Sequence, residues 1–177
     1  LAPISHGLQI LKRTVHGDDS ARRSQEMLER QVNHMVRMVD DLLDISRITL
    51  GKLELKKERT DFRLAVHHAL EATALLVESR RHTLRVQLPE RPLMVDGDPT
   101  RLAQVVANLI NNAAKYTPPE GHIELVVQSN ATHLTLDVRD SGVGIPPALL
   151  PKVFDLFTQL DRSHDRGQSG LGIGLTL

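Results

Sequence analysis

The chain has 177 residues, and its 22 Lys and Arg balance 22 Asp and Glu, so it carries no formal net charge. With three Phe, one Tyr and no Trp, it lacks both the basic stripe and the stacking platform of a nucleic-acid binder. The absence of Cys excludes disulfides and thiolate metal sites and fits a cytosolic setting, and no apolar run is long enough to read as a membrane span.

Near the start, Leu1, Ile4, Leu8, Leu11 and Val15 alternate steps of three and four, the spacing of a heptad seam. "HGDDS" (16–20) interrupts it. A second seam runs through Leu28, Val32, Met35, Val39 and Leu42, widened by Val36 and Leu43, until "SRITLGK" ends it near Gly51. Two amphipathic helices joined by a short turn make an antiparallel hairpin. Two helices cannot enclose a core of their own, so the pattern predicts half of a dimeric four-helix bundle, and hence a homodimer. This first domain covers 1–52, with Gly51 and Lys52 as the hinge region.

From 53 to 177 the texture changes. "LEL" (53–55), "LRVQL" (84–88), "LMV" (93–95), "IELVV" (123–127) and "LTLDV" (134–138) read as strands, most with period-two alternation. Helices are predicted near 62–80 and 99–115. The whole is therefore an α+β chain: a helical hairpin followed by a two-layer α/β sandwich with a site on its helical side. Leu1 is not a start Met and "GLGIGLTL" stops in mid-pattern, so both ends read as cuts through a larger protein.

Three stretches of the second domain carry chemistry. In the helix that Asp98 and Pro99 open, "NLINNAAKYT" (108–117) holds three Asn, although Asn is a poor helix former. Asn108 and Asn112 are four apart and share a face, with Lys115 a turn later. Taken alone they could be no more than a polar helix edge. The strand "LTLDVRD" then delivers Asp140 to "DSGVGI" (140–145). Gly142 and Gly144 allow a tight turn beside a flat ligand, and the carboxylate can accept a hydrogen bond from an exocyclic amine. Finally "SGLGIGLTL" (169–177) spaces Gly170, Gly172 and Gly174 before an apolar segment, an arrangement whose backbone N–H groups suit phosphate oxygens. The polar "TQLDRSHDRGQ" (158–168) before it reads as a mobile lid.

In this order the stretches resemble the sensor histidine kinases of two-component signalling, relatives of the gyrase, chaperone and mismatch-repair ATPases. Asn108, Asn112 and Lys115 match that family's Asn box, Asp140, Gly142 and Gly144 its first glycine box, "FDLF" (154–157) its Phe box, and "GLGIG" (170–174) its second glycine box. The hairpin, with "MVRMVDDLLDISRI" (35–48), is similar to the family's dimerisation and phosphotransfer module. The resemblance implies an ATP:protein-histidine phosphotransferase that uses ATP and Mg²⁺ and passes the phosphoryl group to an Asp of a response-regulator receiver domain.

The implied ATP-binding residues are Asn108, Asn112, Lys115, Tyr116, Asp140, Gly142, Gly144, Ile145, Gly170, Leu171, Gly172 and Gly174. Asn112 is the implied Mg²⁺ ligand, since Mg²⁺ prefers oxygen donors. Where the hydrolytic relatives carry a Glu able to activate water, this chain has Asn108, whose amide has no useful basicity. Transfer is therefore expected rather than hydrolysis.

None of the nine His is expected to be the acceptor. His6 lacks an acidic neighbour, and "LAPI" resembles the stretch directly after the family's phosphorylation motif, which places that His just before Leu1. The family also continues past the second glycine box, so weaker stability and impaired nucleotide binding are expected of this stretch alone. The alternatives are a non-catalytic dimerisation scaffold with a degenerate pocket and a hydrolytic ATPase of the same superfamily.

Overall fold

The computed structural model describes residues 19–156, 158, 172 and 174–176. Backbone contacts divide the chain into two units, Leu1–Leu53 and Glu54–Leu177.

In the first unit, helix α1 (Asp19–Thr49) carries the second seam. Val32 is buried, while Leu28, Met35, Val39, Leu42 and Leu43 stay exposed. The helix ends in a glycine cap. Gly51 has φ +63°, the Gly51 N–H donates to the Ile48 carbonyl at 2.9 Å and the Lys52 N–H to the Arg47 carbonyl at 2.7 Å, the paired bonds of a Schellman ending. The predicted partner helix of the hairpin falls on 1–15, outside the described residues. No described helix is long and apolar enough to cross a membrane.

The second unit begins with two strand–Asp–helix segments of the same construction. Strand β1 (Glu58–Asp61) leads into α2 (Phe62–Ser79), and after strand β2 (Thr83–Gln87), strand β3 (Met94–Gly97) leads through Asp98 into α3 (Pro99–Tyr116). Strands β1 and β3 pair antiparallel, Glu58 opposite Gly97 and Asp61 opposite Met94. Each helix is N-capped by an Asp with nearly the same backbone: φ −83°, ψ 114° at Asp61 and φ −84°, ψ 114° at Asp98.

Each cap also reaches across to the other segment. Asp61 accepts from its own helix at Arg63 N (3.1 Å) and from Leu93 N (3.0 Å), next to β3. Asp98 accepts from Thr100 N (3.0 Å) and Arg101 N (3.2 Å), and from Lys56 N (3.1 Å), ahead of β1. These bonds, Arg101 first, hold the Asp98 carboxyl below its usual range.

That last bond explains a difference from the sequence reading. The strand expected at "LEL" (53–55) is absent, and the ladder starts at Glu58 instead. Beyond Gly97 the partner chain turns into α3, so Lys56 finds a side-chain carboxylate where a strand would offer a carbonyl. Leu53–Leu55 then have no strand to pair with.

Asp61 also binds the Arg63 guanidinium, at 2.7 Å from Oδ2 to Nη2, and Arg63 Nη1 donates to the Glu90 carbonyl. The Arg63 side chain, outweighing burial, lowers the Asp61 pKa from 3.8 to about 2. A carboxyl more acidic in the folded state stabilises the fold above its unfolded pKa, and that contribution is lost as the pH falls toward the folded one. Asp61→Asn keeps a capping side chain but removes the charge. It should lower stability at pH 7 by about 2 kcal/mol, and denaturant unfolding should show the gap from wild type closing as the pH drops from about 4 to about 2. A gap that persists at the acid end would mean that packing, not charge, carries the effect.

The main sheet has the order β2, β4 (His122–Ser129), β5 (Leu134–Asp140). Strand β2 runs parallel to β4, and β4 runs antiparallel to β5. Asn130 shapes the β4–β5 connection, its Oδ1 accepting from Thr132 N (2.9 Å) and His133 N (2.8 Å). Alternation along β4 buries Ile123, Leu125 and Val127 in one core with Phe62, Val66 and Ala69 of α2 and Val106, Ile110, Ala113 and Ala114 of α3. The opposite face is polar, with Gln87 Nε2 donating to Glu124 Oε1 at 2.8 Å. The architecture is α+β, two helices layered on a sheet, with the core between them.

Candidate functional site

Helix α3 buries its Val106, Ile110, Ala113 and Ala114 stripe, which leaves Asn108 and Asn112 half-buried along one edge. Its last turn is held from two sides. His82, itself buried, reaches the Ala114 carbonyl through Nε2 at 3.0 Å, so that nitrogen carries the proton. The Val143 N–H donates to the Tyr116 carbonyl at 3.2 Å, stitching the turn after β5 onto the helix end.

That close approach explains Gly142. A Cβ there would lie 2.5 Å from Asp140 Oδ1 and 2.6 Å from the Tyr116 carbonyl oxygen. Gly142 N–H in turn donates to Asp140 Oδ1 at 2.8 Å, fixing the carboxylate and leaving Oδ2 for another partner. Gly144 serves differently: its φ is +68° with open space around it, so conformation rather than room selects glycine.

Between α3 and this turn lies a cavity of about 240 Å³. Asn112 and Tyr116 of α3, Asp140, Gly144 and Ile145 line it, together with Gly172 and Gly174. Seven of the twelve expected residues thus meet at one cavity. Asn108, Lys115 and Gly142 are described but do not line it, while Gly170 and Leu171 lie outside the described residues. So does the stretch read as a lid, apart from Thr158. Asn108 Nδ2 donates to the Gly174 carbonyl at 2.9 Å, and Lys115 Nζ sits 5.0 Å from the centroid of the Tyr116 ring. Gly142 stands behind the wall, supporting Asp140.

Leu109, Ala113, Val138, Leu149, Val153, Thr158 and Leu175 complete the lining, and sequence reasoning did not single them out. Ala113 lies on the stripe of α3 that packs in the core. Leu149 and Val153 keep a four-residue spacing in "LLPKV", too short a run to show a period. The lining combines apolar walls with few polar groups, the usual composition of a small-molecule site. Of the polar groups, the Asn112 side-chain amide and the second oxygen of Asp140 make no hydrogen bond to the described residues.

Among the described residues no group of three or more His, Asp or Glu could hold a metal ion. A cation here would take most of its ligands from phosphate and water, which is the habit of Mg²⁺. One amide oxygen at Asn112 fits that demand.

Residues 97–177 match the family described as histidine kinase-, DNA gyrase B- and HSP90-like ATPase. The chain is 28% identical over 180 residues to the sensor protein kinase WalK of Staphylococcus haemolyticus, an alignment covering 100% of this chain and 29% of that protein. It thus spans less than a third of that relative's length. Among solved structures, the Acinetobacter baumannii histidine kinase AdeS superposes with a TM-score of 0.66 at 25% identity, over 99% of this chain and 80% of the other. The mycobacterial sensor histidine kinase MprB is 30% identical over 68% of this chain and 74% of its own, with a TM-score of 0.56. An Asn-bearing helix, an Asp turn docked on its end and a glycine-rich wall around one cavity agree with these likenesses, and the chain belongs to the sensor histidine kinases, of which it carries the ATPase domain.

Proposed function

We propose that this chain is the ATP-dependent autokinase core of a two-component sensor. Its second domain, 53–177, binds ATP with Mg²⁺ in the cavity beside α3, and its first, 1–52, serves dimerisation and phosphotransfer. The observation that carries this reading is the convergence of Asn112, Tyr116 and Asp140 on one apolar-walled cavity.

Asp140 Oδ2 accepts a hydrogen bond from the exocyclic amine of adenine, its partner oxygen held by Gly142. Leu109, Ala113, Val138 and Ile145 enclose the flat ring. Bound Mg²⁺ supplies charge neutralisation to the phosphates, with Asn112 Oδ1 as its protein ligand. Lys115, at the last turn of α3, adds a cation near the same edge.

Among the described lining residues Asp140 is the one carboxylate, and its two oxygens are taken by Gly142 and by the adenine amine. None of the described lining residues is therefore placed as a base to activate water, which supports transfer over hydrolysis. An imidazole nitrogen of the dimerisation helices attacks the γ-phosphorus as ADP leaves, with positioning and charge neutralisation lowering the barrier. The phosphoryl group then passes to an Asp of a response-regulator receiver domain. The exposed Leu28–Leu43 seam of α1 supports a homodimer, because a stripe of that kind needs a partner.

Incubating the full kinase that carries this chain with γ-labelled ATP and Mg²⁺ tests the reading. Acid-labile, base-stable label on the protein is the expected result, since phosphohistidine behaves that way. Free phosphate without labelled protein would identify a hydrolase, and ATP binding with neither product a scaffold.

A further inference from the structure

One wall of the cavity is built by Gly172, Gly174 and Leu175, which belong to no helix or strand. Glycine-rich chain loses much conformational freedom on ordering, so something outside the segment has to hold it. Among the described residues, two hydrogen bonds do. Asn108 Nδ2 donates to the Gly174 carbonyl at 2.9 Å, and Thr176 Oγ1 donates to the Phe154 carbonyl at 2.8 Å. Leu175, half-buried, stands between the two anchored residues.

The second bond joins two parts of the lining. Val153 precedes Phe154 and Leu175 precedes Thr176, and both face the cavity. Phe154 is 66% exposed, and its backbone carbonyl serves as the anchor. The Thr176 hydroxyl thus closes the base of a span of 22 residues beside two cavity walls.

We propose that Thr176 is a positioning residue of the nucleotide pocket. With Asn108 pinning Gly174, it sets Leu175 beside Val153 and holds the apolar wall in place before a ligand arrives. A wall ordered in advance removes an entropy cost that binding would otherwise meet. The assignment rests on the nucleotide reading above, but the tether itself can be observed without a ligand.

Thr176→Val replaces the hydroxyl by a methyl of the same shape, and Thr176→Ser retains it. In the full kinase that carries this chain, Thr176→Val should bind ATP with Mg²⁺ about fivefold more weakly. Backbone amides of residues 174–176 should exchange with deuterium faster by a similar factor, with the melting temperature unchanged. Thr176→Ser should return both readings to wild type. Unchanged exchange in Thr176→Val, or a Ser variant that behaves like the Val variant, overturns the proposal. Should the full kinase fail to bind ATP with Mg²⁺, the nucleotide reading falls, and the exchange comparison still decides whether Thr176 holds the wall.

Discussion

Asn112→Ala should remove magnesium-dependent ATP binding, weakening affinity by about 100-fold, or about 2.7 kcal/mol. The reason lies in how the two Asn of α3 divide their work. The Asn108 amide is engaged with the Gly174 carbonyl, whereas Asn112 lines the cavity and makes no hydrogen bond to the described residues. Truncating it therefore breaks little in the folded protein, and Asn is no better a helix former than Ala. Thermal stability should hold or rise slightly. The decisive comparison is calorimetric titration with and without EDTA: wild type should lose affinity on chelation, while the variant should already sit at the chelated value. A variant that still responds to Mg²⁺ would move the ligand role elsewhere.

Gly142→Ala should be the most damaging change at the site. The added Cβ would meet a carboxylate at 2.5 Å and a backbone carbonyl at 2.6 Å. The carbonyl belongs to the end of α3 and cannot swing aside. Relief requires the turn to move, which breaks the Val143 bond to Tyr116 and tilts Asp140. Overpacking and the lost hydrogen bond together should cost about 3 kcal/mol, with ATP affinity falling by about tenfold or more as Asp140 leaves its pose. Gly144→Ala is the control, because its Cβ would enter open space and only the positive φ opposes it, at about 1 kcal/mol. Denaturant unfolding of the two variants separates the mechanisms. Equal losses would show that close approach is not what selects glycine at 142.

Helices α2 and α3 were legible because their apolar stripes bury against one core, and β4 and β5 because alternation suits a sheet with one covered face. The missing strand at 53–55 shows the limit. "LEL" alternates well, but pairing depends on how far β3 extends, and β3 stops where Asp98 begins α3. Similarly, the turn at Gly142 was legible from its composition, while its reason was not: the crowding comes from Tyr116, brought close only by folding. Leu175 and Val153 were invisible for another reason. Apolar residues in irregular segments show no period, so nothing distinguishes a cavity wall from a loop. The link from Asn108 to Gly174 spans 66 residues, beyond any local pattern.

The paired carboxylates of Asp61 and Asp98 bear on how the domain comes apart. Each caps its own helix and also satisfies an amide belonging to the other strand–helix segment. Neither segment can melt alone without stripping the other's cap of a partner, so the two should open as a single cooperative foldon. The Asp140 turn and the glycine wall contribute nothing to that reciprocal lock. Breathing at the nucleotide end can therefore proceed while the locked end keeps its shape, giving the domain a hard half and a compliant half written into the same helix α3.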